Sequence, residues 1–179
     1  MLEIFSPDRQ QNHATLAQAI HTHLSKMGNS QLQEKIDPED NRLEIVTTIS
    51  GVTFINDSKA TTVNATWYAL SILQPEIVLI MGGVDKNNDY RSLQPLVQEK
   101  VATIICLGKD VSKIYGAFED CVNTIVTANT MDQAVCYAFH FAQKDQAQTV
   151  LLSPACPSFD LFKNHQDRAD QYKAGIKEL

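Results

Sequence analysis

Hydrophobic and polar positions alternate in blocks along most of this chain. Short runs rich in Val and Ile occur at "VTFIND" (52–57), "EIVLIMGG" (76–83), "ATIICLG" (102–108), "NTIVTA" (123–128) and "TVLLSPA" (149–155). Between them lie stretches of helical period at 61–73, 90–100, 110–118 and 130–144, with a last one at 158–178. Nearly continuous apolar runs describe strands buried on both faces, the pattern of a parallel sheet. The intervening segments are long enough for right-handed crossovers. "RLEIVTTIS" (42–50) leads into "GVTFIND" through Ser50-Gly51 and predicts an antiparallel strand at one side. The expected fold is α/β. It is a doubly wound, mostly parallel, Rossmann-like sheet of about six strands with helices on both faces, preceded by a short helical segment.

Residues 1–40 break this rhythm. "NHATLAQAIHTHLSKMG" reads as an amphipathic helix, with Leu16, Ala19, Ile20 and Leu24 along one face and Gly28 as its stop. "SQLQEKIDPED" reads as a shorter helical piece ended by Pro38. Neither piece has a partner strand. Two readings stand: a helical extension packed on the sheet domain, or the tail of a preceding domain.

Composition narrows the function classes. The 179 residues are 44% hydrophobic and 20% charged, enough to build a core. The net charge of -6 argues against nucleic acid as a partner, because phosphate neutralisation needs clustered Lys and Arg. No apolar run approaches the roughly 20 residues of a membrane span. "MLEIFSPDRQQNH" lacks the basic flank and apolar stretch of a secretory signal, so a cytoplasmic setting is expected. Cys106, Cys121, Cys136 and Cys156 are widely spaced, with no C-x-x-C pair, and read as reduced thiols. None of the five histidines completes a ligand cluster, so no metal site is expected.

In an open parallel sheet, ligands bind beyond the carboxyl ends of the strands. The strand ends here are unequal. "TANTMDQA" looks like plain capping, with Thr130 as N-cap and Asp132 in the first turn. "NDSKATT" carries more polar groups than a turn and a cap can use. Thr61 or Thr62 can cap the next helix, which leaves Asp57 and Lys59 either as a surface ion pair or as holders of a ribose hydroxyl and a phosphate. In "GGVDK" two glycines permit a tight turn and set Lys86 at the rim of the same crevice. No P-loop string G-x-x-x-x-G-K-[ST] occurs. In "SPACPS", Ser158 and Ser153 stand where a helix start would offer free N–H groups, suited to a carboxylate and equally to ordinary capping.

Together, "NDSKAT", "GGVDK" followed by "DY", and "LLSPACPSFDLFKN" followed by "DR" occur in the order and spacing of one family. Residues 41–179 resemble the C-terminal domain of the muramyl ligases, in the branch that adds D-glutamate. The "NDSKAT" box separates this branch from related ligases, including the folylpolyglutamate synthases. The resemblance implies an ATP-dependent acid–D-amino-acid ligase of peptidoglycan precursor synthesis. In such ligases ATP phosphorylates the carboxylate of UDP-N-acetylmuramoyl-L-alanine, and the amine of D-glutamate attacks the acyl phosphate.

Carried over to this chain, the resemblance implies that Arg42, Asp57 and Lys59 contact ATP. Lys59 would also be the catalytic cation at the reacting centre, acting electrostatically rather than as a base. Thr61, Lys86, Ser158, Phe159 and His165 would line the D-glutamate site. A ligand with two carboxylates calls for a cation and oriented donors, which Lys86, Thr61 and Ser158 supply. The resemblance further implies ATP and Mg2+ in the whole enzyme, held mainly by a central ATPase domain without counterpart here. Residues 1–40 would be the tail of that domain, and the whole enzyme a monomer. This chain alone is expected to be inactive. Four positions depart from the family pattern: Asn41 for His, Pro157 for a smaller residue, His165 for an aromatic residue, and Ala169 for Gly, which disfavours a positive φ. A stand-alone amino-acid or nucleotide binding module without catalysis is the alternative reading.

Overall fold

Six strands form one sheet in the computed structural model, which describes residues 41–179. The helical segments expected within 1–40 lie outside the described residues. The strands are β1 (Glu44–Ile49), β2 (Val52–Asn56), β3 (Ile77–Met81), β4 (Val101–Leu107), β5 (Thr124–Ala128) and β6 (Thr149–Leu152). Their spatial order is β1-β2-β6-β3-β4-β5. Only β1 runs antiparallel, joined to β2 by a two-residue hairpin at Ser50 (φ 49°) and Gly51 (φ 84°). Positive φ at both turn positions matches the strand twist. All other pairings are parallel. The doubly wound expectation holds.

Five helices flank the sheet: α1 (Val63–Ile72), α2 (Gln94–Lys100), α3 (Ser112–Phe118), α4 (Met131–Lys144) and α5 (His165–Lys177). The alternation of side chains along each strand separates two cores. Val78, Ile80, Ile105, Leu107, Val150 and Leu152 join the α4 face (Ala134, Val135, Ala138) and Tyr172 and Ile176 of α5 in one cluster. Ile77, Leu79, Met81, Ile104 and Cys106 point to the opposite face and are fully buried as well. A strand buried on both faces cannot alternate polar with apolar, and this is why β3 reads "IVLIM".

Two helix starts differ by four residues or more from the sequence expectation, each for a local reason. The second helix begins at Gln94 rather than near 90, because buried Tyr90 anchors a turn that precedes it and Pro95 occupies the first turn. The last helix begins at His165 rather than 158. Residues 158–164 form turns, with the Ser158 carbonyl accepting from the Leu161 and Phe162 amides, and Asn164 caps α5 by accepting from the Asp167 amide at 2.9 Å. The Thr130 cap of α4 and the acidic Asp132 in its first turn appear as expected.

β6 is last in the chain but central in the sheet, hydrogen-bonded to β2 on one side and β3 on the other. It brings the "NDSKAT", "SPACPS" and "MGGVDK" segments to three adjacent strand ends.

Candidate functional site

Backbone hydrogen bonds continue from the sheet into these loops. The Asp57 amide donates to Leu152 O at 2.8 Å, Ser153 N to Ile80 O at 3.1 Å, and Gly82 N to Pro154 O at 2.9 Å. Val84 N donates to Pro157 O at 2.8 Å, so the Gly-Gly loop lies along the Ser loop. Gly82 (φ 131°) and Gly83 (φ 132°) are needed sterically as well as conformationally. A Cβ at Gly82 would stand 2.2 Å from Leu107 O, and one at Gly83 2.2 Å from Pro157 O. Pro157 fits this loop because it is used through its carbonyl, and its missing N–H removes no bond in this contact.

Asp57 is 1% exposed. Ser153 Oγ donates to its Oδ2 at 2.8 Å, and Thr66 Oγ1 lies 3.0 Å from Ser153 Oγ. Arg42 approaches the other oxygen, Oδ1, at 3.9 Å, so the structure brings these two candidate residues together. Oδ1 itself is buried and takes no well-formed hydrogen bond from the described residues, the Leu43 amide acting on the carboxyl only weakly. Burial pushes the Asp57 carboxyl up to about 7, against the opposing pull of the Ser153 hydroxyl and the Arg42 guanidinium. Asp57 is therefore not half of an exposed ion pair with Lys59.

Thr62 caps α1, accepting from the Ala65 amide at 3.3 Å, and this leaves the Thr61 hydroxyl without a capping duty. Lys59 is partly exposed, and its amide donates to Asn41 O at 3.3 Å. Lys86 is exposed in the loop after β3. The carboxylate of Asp85 beside it organises that loop, accepting from the Asn87 and Asn88 amides, from Tyr90 Oη at 2.9 Å and from Lys113 Nζ at 3.1 Å. Tyr90 Oη also lies 3.2 Å from Cys156 Sγ, and the Asn88 side chain donates to Ala155 O at 3.2 Å, so the Lys86 loop is fastened to the Ser loop. An open cleft of ≈ 470 Å³ lies between the start of α1 and this loop, with Thr62, Asn64, Asn87 and Ser92 among its walls.

Ser158 is buried and begins a turn rather than a helix, so the donors expected from a helix start at that position are not there. Phe159, next to it, is 68% exposed. His165 is the first residue of α5, and its carbonyl accepts from Ser58 Oγ at 2.7 Å. Ala169 lies inside α5 and is fully buried, so no positive φ is required there. Asn41 suits its position. It adopts φ 56°, a conformation Asn tolerates, and its side chain donates to Gln166 and accepts from Asn56 at 2.9 Å.

Two contributors escaped the sequence reading. Ser58 and Arg168 belong to the quoted boxes, yet neither stood out as a site residue. Arg168 is 1% exposed, and its guanidinium donates to Ser58 Oγ (3.1 Å), Ser58 O (2.8 Å) and Cys156 O (3.0 Å), with a longer contact to Gly82 O (3.5 Å). Desolvation lowers its pKa to about 10, which leaves it charged at neutral pH. An Arg in a polar helix normally reads as solvent-facing, so the only signal for it was the "DR" that closes the third box.

Among the described residues no group of three His, Cys, Asp or Glu side chains could hold a metal ion, and no helix is long and apolar enough to cross a membrane. All four cysteines are free thiols.

Residues 41–156 match the family described as Mur ligase, glutamate ligase domain. A UDP-N-acetylmuramoylalanine--D-glutamate ligase of Christiangramia forsetii is 52% identical over 140 residues, 78% of this chain and 31% of that protein. A ligase of the same name from Porphyromonas gingivalis is 42% identical over 170 residues, 93% of this chain and 37% of that protein. Among solved structures, crystal structure II of MurF from Acinetobacter baumannii aligns with a TM-score of 0.49 at 17% identity, over 78% of this chain and 31% of that one. The chain spans about a third of the length of the curated relatives it matches.

Proposed function

The chain belongs to the Mur ligase, glutamate ligase domain family, and from that premise we propose that it is the D-glutamate-binding part of a longer ATP-dependent ligase. That ligase would join D-glutamate to UDP-N-acetylmuramoyl-L-alanine in peptidoglycan precursor synthesis. One observation carries the reading: the "NDSKAT", "GGVDK" and "SPACPS" loops occupy the ends of three adjacent strands, β2, β3 and β6.

In this proposal Lys86, Thr61 and Ser158 bind the carboxylates of D-glutamate, with Phe159 and His165 closing its apolar side. A dicarboxylate needs charge-assisted donors, and an exposed ammonium with a hydroxyl in the next loop supplies them. Lys59 stands where negative charge develops as the amine attacks the activated carboxylate, and stabilises that charge without taking a proton. ATP, when bound, supplies the phosphoryl group that activates this carboxylate. Asp57 and Arg42 are assigned to its ribose and phosphate side, with the partly exposed Arg42 guanidinium approaching Asp57 Oδ1 at 3.9 Å. Mg2+ is assigned to a preceding central domain, of which residues 1–40 would be the tail, with 41–179 as the glutamate domain. A cytoplasmic monomer fits a soluble nucleotide-linked substrate.

The test is ADP release by the full-length gene product with the UDP-linked substrate present. Release is expected only when D-glutamate is added, and none from this chain alone. Turnover without D-glutamate, or ligation by the isolated chain, overturns the reading.

A further inference from the structure

We propose that Arg168 is a positioning residue that holds the three ligand-facing loops at one spacing, an assignment that rests on the D-glutamate reading above. The regular strands end at Asn56, Met81 and Leu152, and one backbone bond each carries Asp57 and Ser153 past them, to Leu152 O and Ile80 O. Beyond those points each loop needs other ties. The Gly-Gly and Ser loops share two backbone bonds, Gly82 N to Pro154 O and Val84 N to Pro157 O. The "NDSKAT" loop meets the Ser loop through the Asp57–Ser153 contact, and the Arg168 side chain touches all three.

Each anchor sits close to a proposed ligand contact. Ser58 precedes Lys59, Cys156 is two residues before Ser158, and Gly82 is four before Lys86. The first turn of α5 reinforces the clamp, because His165 O accepts from the same Ser58 hydroxyl that receives Arg168 Nε. The donors reach fixed points: two carbonyls and one hydroxyl at 2.8–3.1 Å, with the third carbonyl at 3.5 Å. Only a planar guanidinium presents donors in so many directions; an ammonium at the same depth is a single point. Among the described residues no carboxylate comes within ion-pair distance of Arg168, so its charge is answered by carbonyl dipoles. A buried cation beneath a dicarboxylate site also has the sign such a ligand favours.

Two readouts test the clamp, both using Arg168→Lys, which keeps the charge and loses the fork. In this chain, amide hydrogen exchange at Lys59, Thr61, Gly82 and Val84 should quicken at least tenfold while the interior of β3 and β4 is unchanged. Uniform acceleration across the chain, or a change in one loop alone, overturns the proposal. If Arg168→Lys does not fold, Ser58→Ala removes one anchor with a smaller lesion and is judged by the same pattern. In the longer ligase, KM for D-glutamate should rise at least tenfold, with KM for the UDP-linked substrate moving less than twofold. An unchanged D-glutamate KM in a folded variant also overturns it. If the wild-type ligase shows no D-glutamate-dependent turnover, the functional reading falls, and the exchange pattern still decides the clamp.

Discussion

Arg168 donates to the carbonyl of Ser58 at 2.8 Å across 110 residues of sequence, from the first turn of the last helix to the loop after the second strand. The contact ties the "NDSKAT" loop to the last helix, one residue before Lys59.

Lys86→Ala in the longer ligase should raise KM for D-glutamate by 30-fold or more, since a charge-assisted contact to a carboxylate is worth about 2–3 kcal/mol. Ligation at D-glutamate levels near the wild-type KM should fall by about tenfold or more. Lys59→Ala should instead lower kcat with D-glutamate KM little changed, because its contact strengthens in the transition state. Steady-state kinetics with each substrate varied separates the two; an unaltered D-glutamate KM in Lys86→Ala means the site is assigned wrongly.

Stability should carry the signature of Asp57. Its native value of about 7 lies above the ordinary 3.8, so between those limits the folded state keeps a proton that the unfolded chain has released. Folding stability is therefore lost as pH rises from about 4 to about 7, and the full penalty, on the order of 4 kcal/mol, is present above that window. Asp57→Asn removes the titration. The stability of this variant relative to wild type, from urea melts at several pH values, should increase across the window and level off above it. A flat difference would show that Asp57 titrates as an ordinary carboxyl.

Gly83→Ala should cost about 2–4 kcal/mol. The new methyl would meet the Pro157 carbonyl at 2.2 Å, and φ 132° is a conformation that L-residues avoid. Neither backbone can retreat without breaking the Val84–Pro157 bond. Thermal denaturation gives the loss directly, and a near-neutral effect would mean that the loop yields more easily than its bonding implies.

Lys100 caps a helix that is not its own. Its Nζ donates to Leu70 O (3.0 Å), Ser71 O (3.3 Å) and Leu73 O (2.8 Å) at the carboxyl end of α1. Lys100→Met keeps most of the stem and loses the charge, and should destabilise the domain by about 1–2 kcal/mol with an unchanged urea m-value.

Much of this protein is legible from residue order alone. The apolar runs, the Ser50-Gly51 turn and the Thr130 cap express local chemistry: period, turn preference and the free N–H groups of a helix start. These rules act over a few residues, so they gave the α/β class and the order of elements along the chain. They also placed the polar groups of "NDSKAT" and "GGVDK" at strand ends.

What they could not supply was adjacency. That β6 enters between β2 and β3, that Asp57 turns inward onto Ser153, and that Arg168 leaves a polar helix to fork between three loops all depend on contacts across roughly one hundred residues. The start of α5 shows the same limit on a smaller scale. Ser158 and Asn164 are both good caps, and the choice fell to Asn164 because the residues before it are bound up elsewhere, with Asp160 accepting from the Lys109 amide. Sequence by itself determined which segments became strands and helices, and which strand ends were rich in polar groups. Only the tertiary structure decided which ends met and which polar groups were buried, because desolvation and long-range hydrogen bonding act on neighbours in space, whatever their separation along the chain.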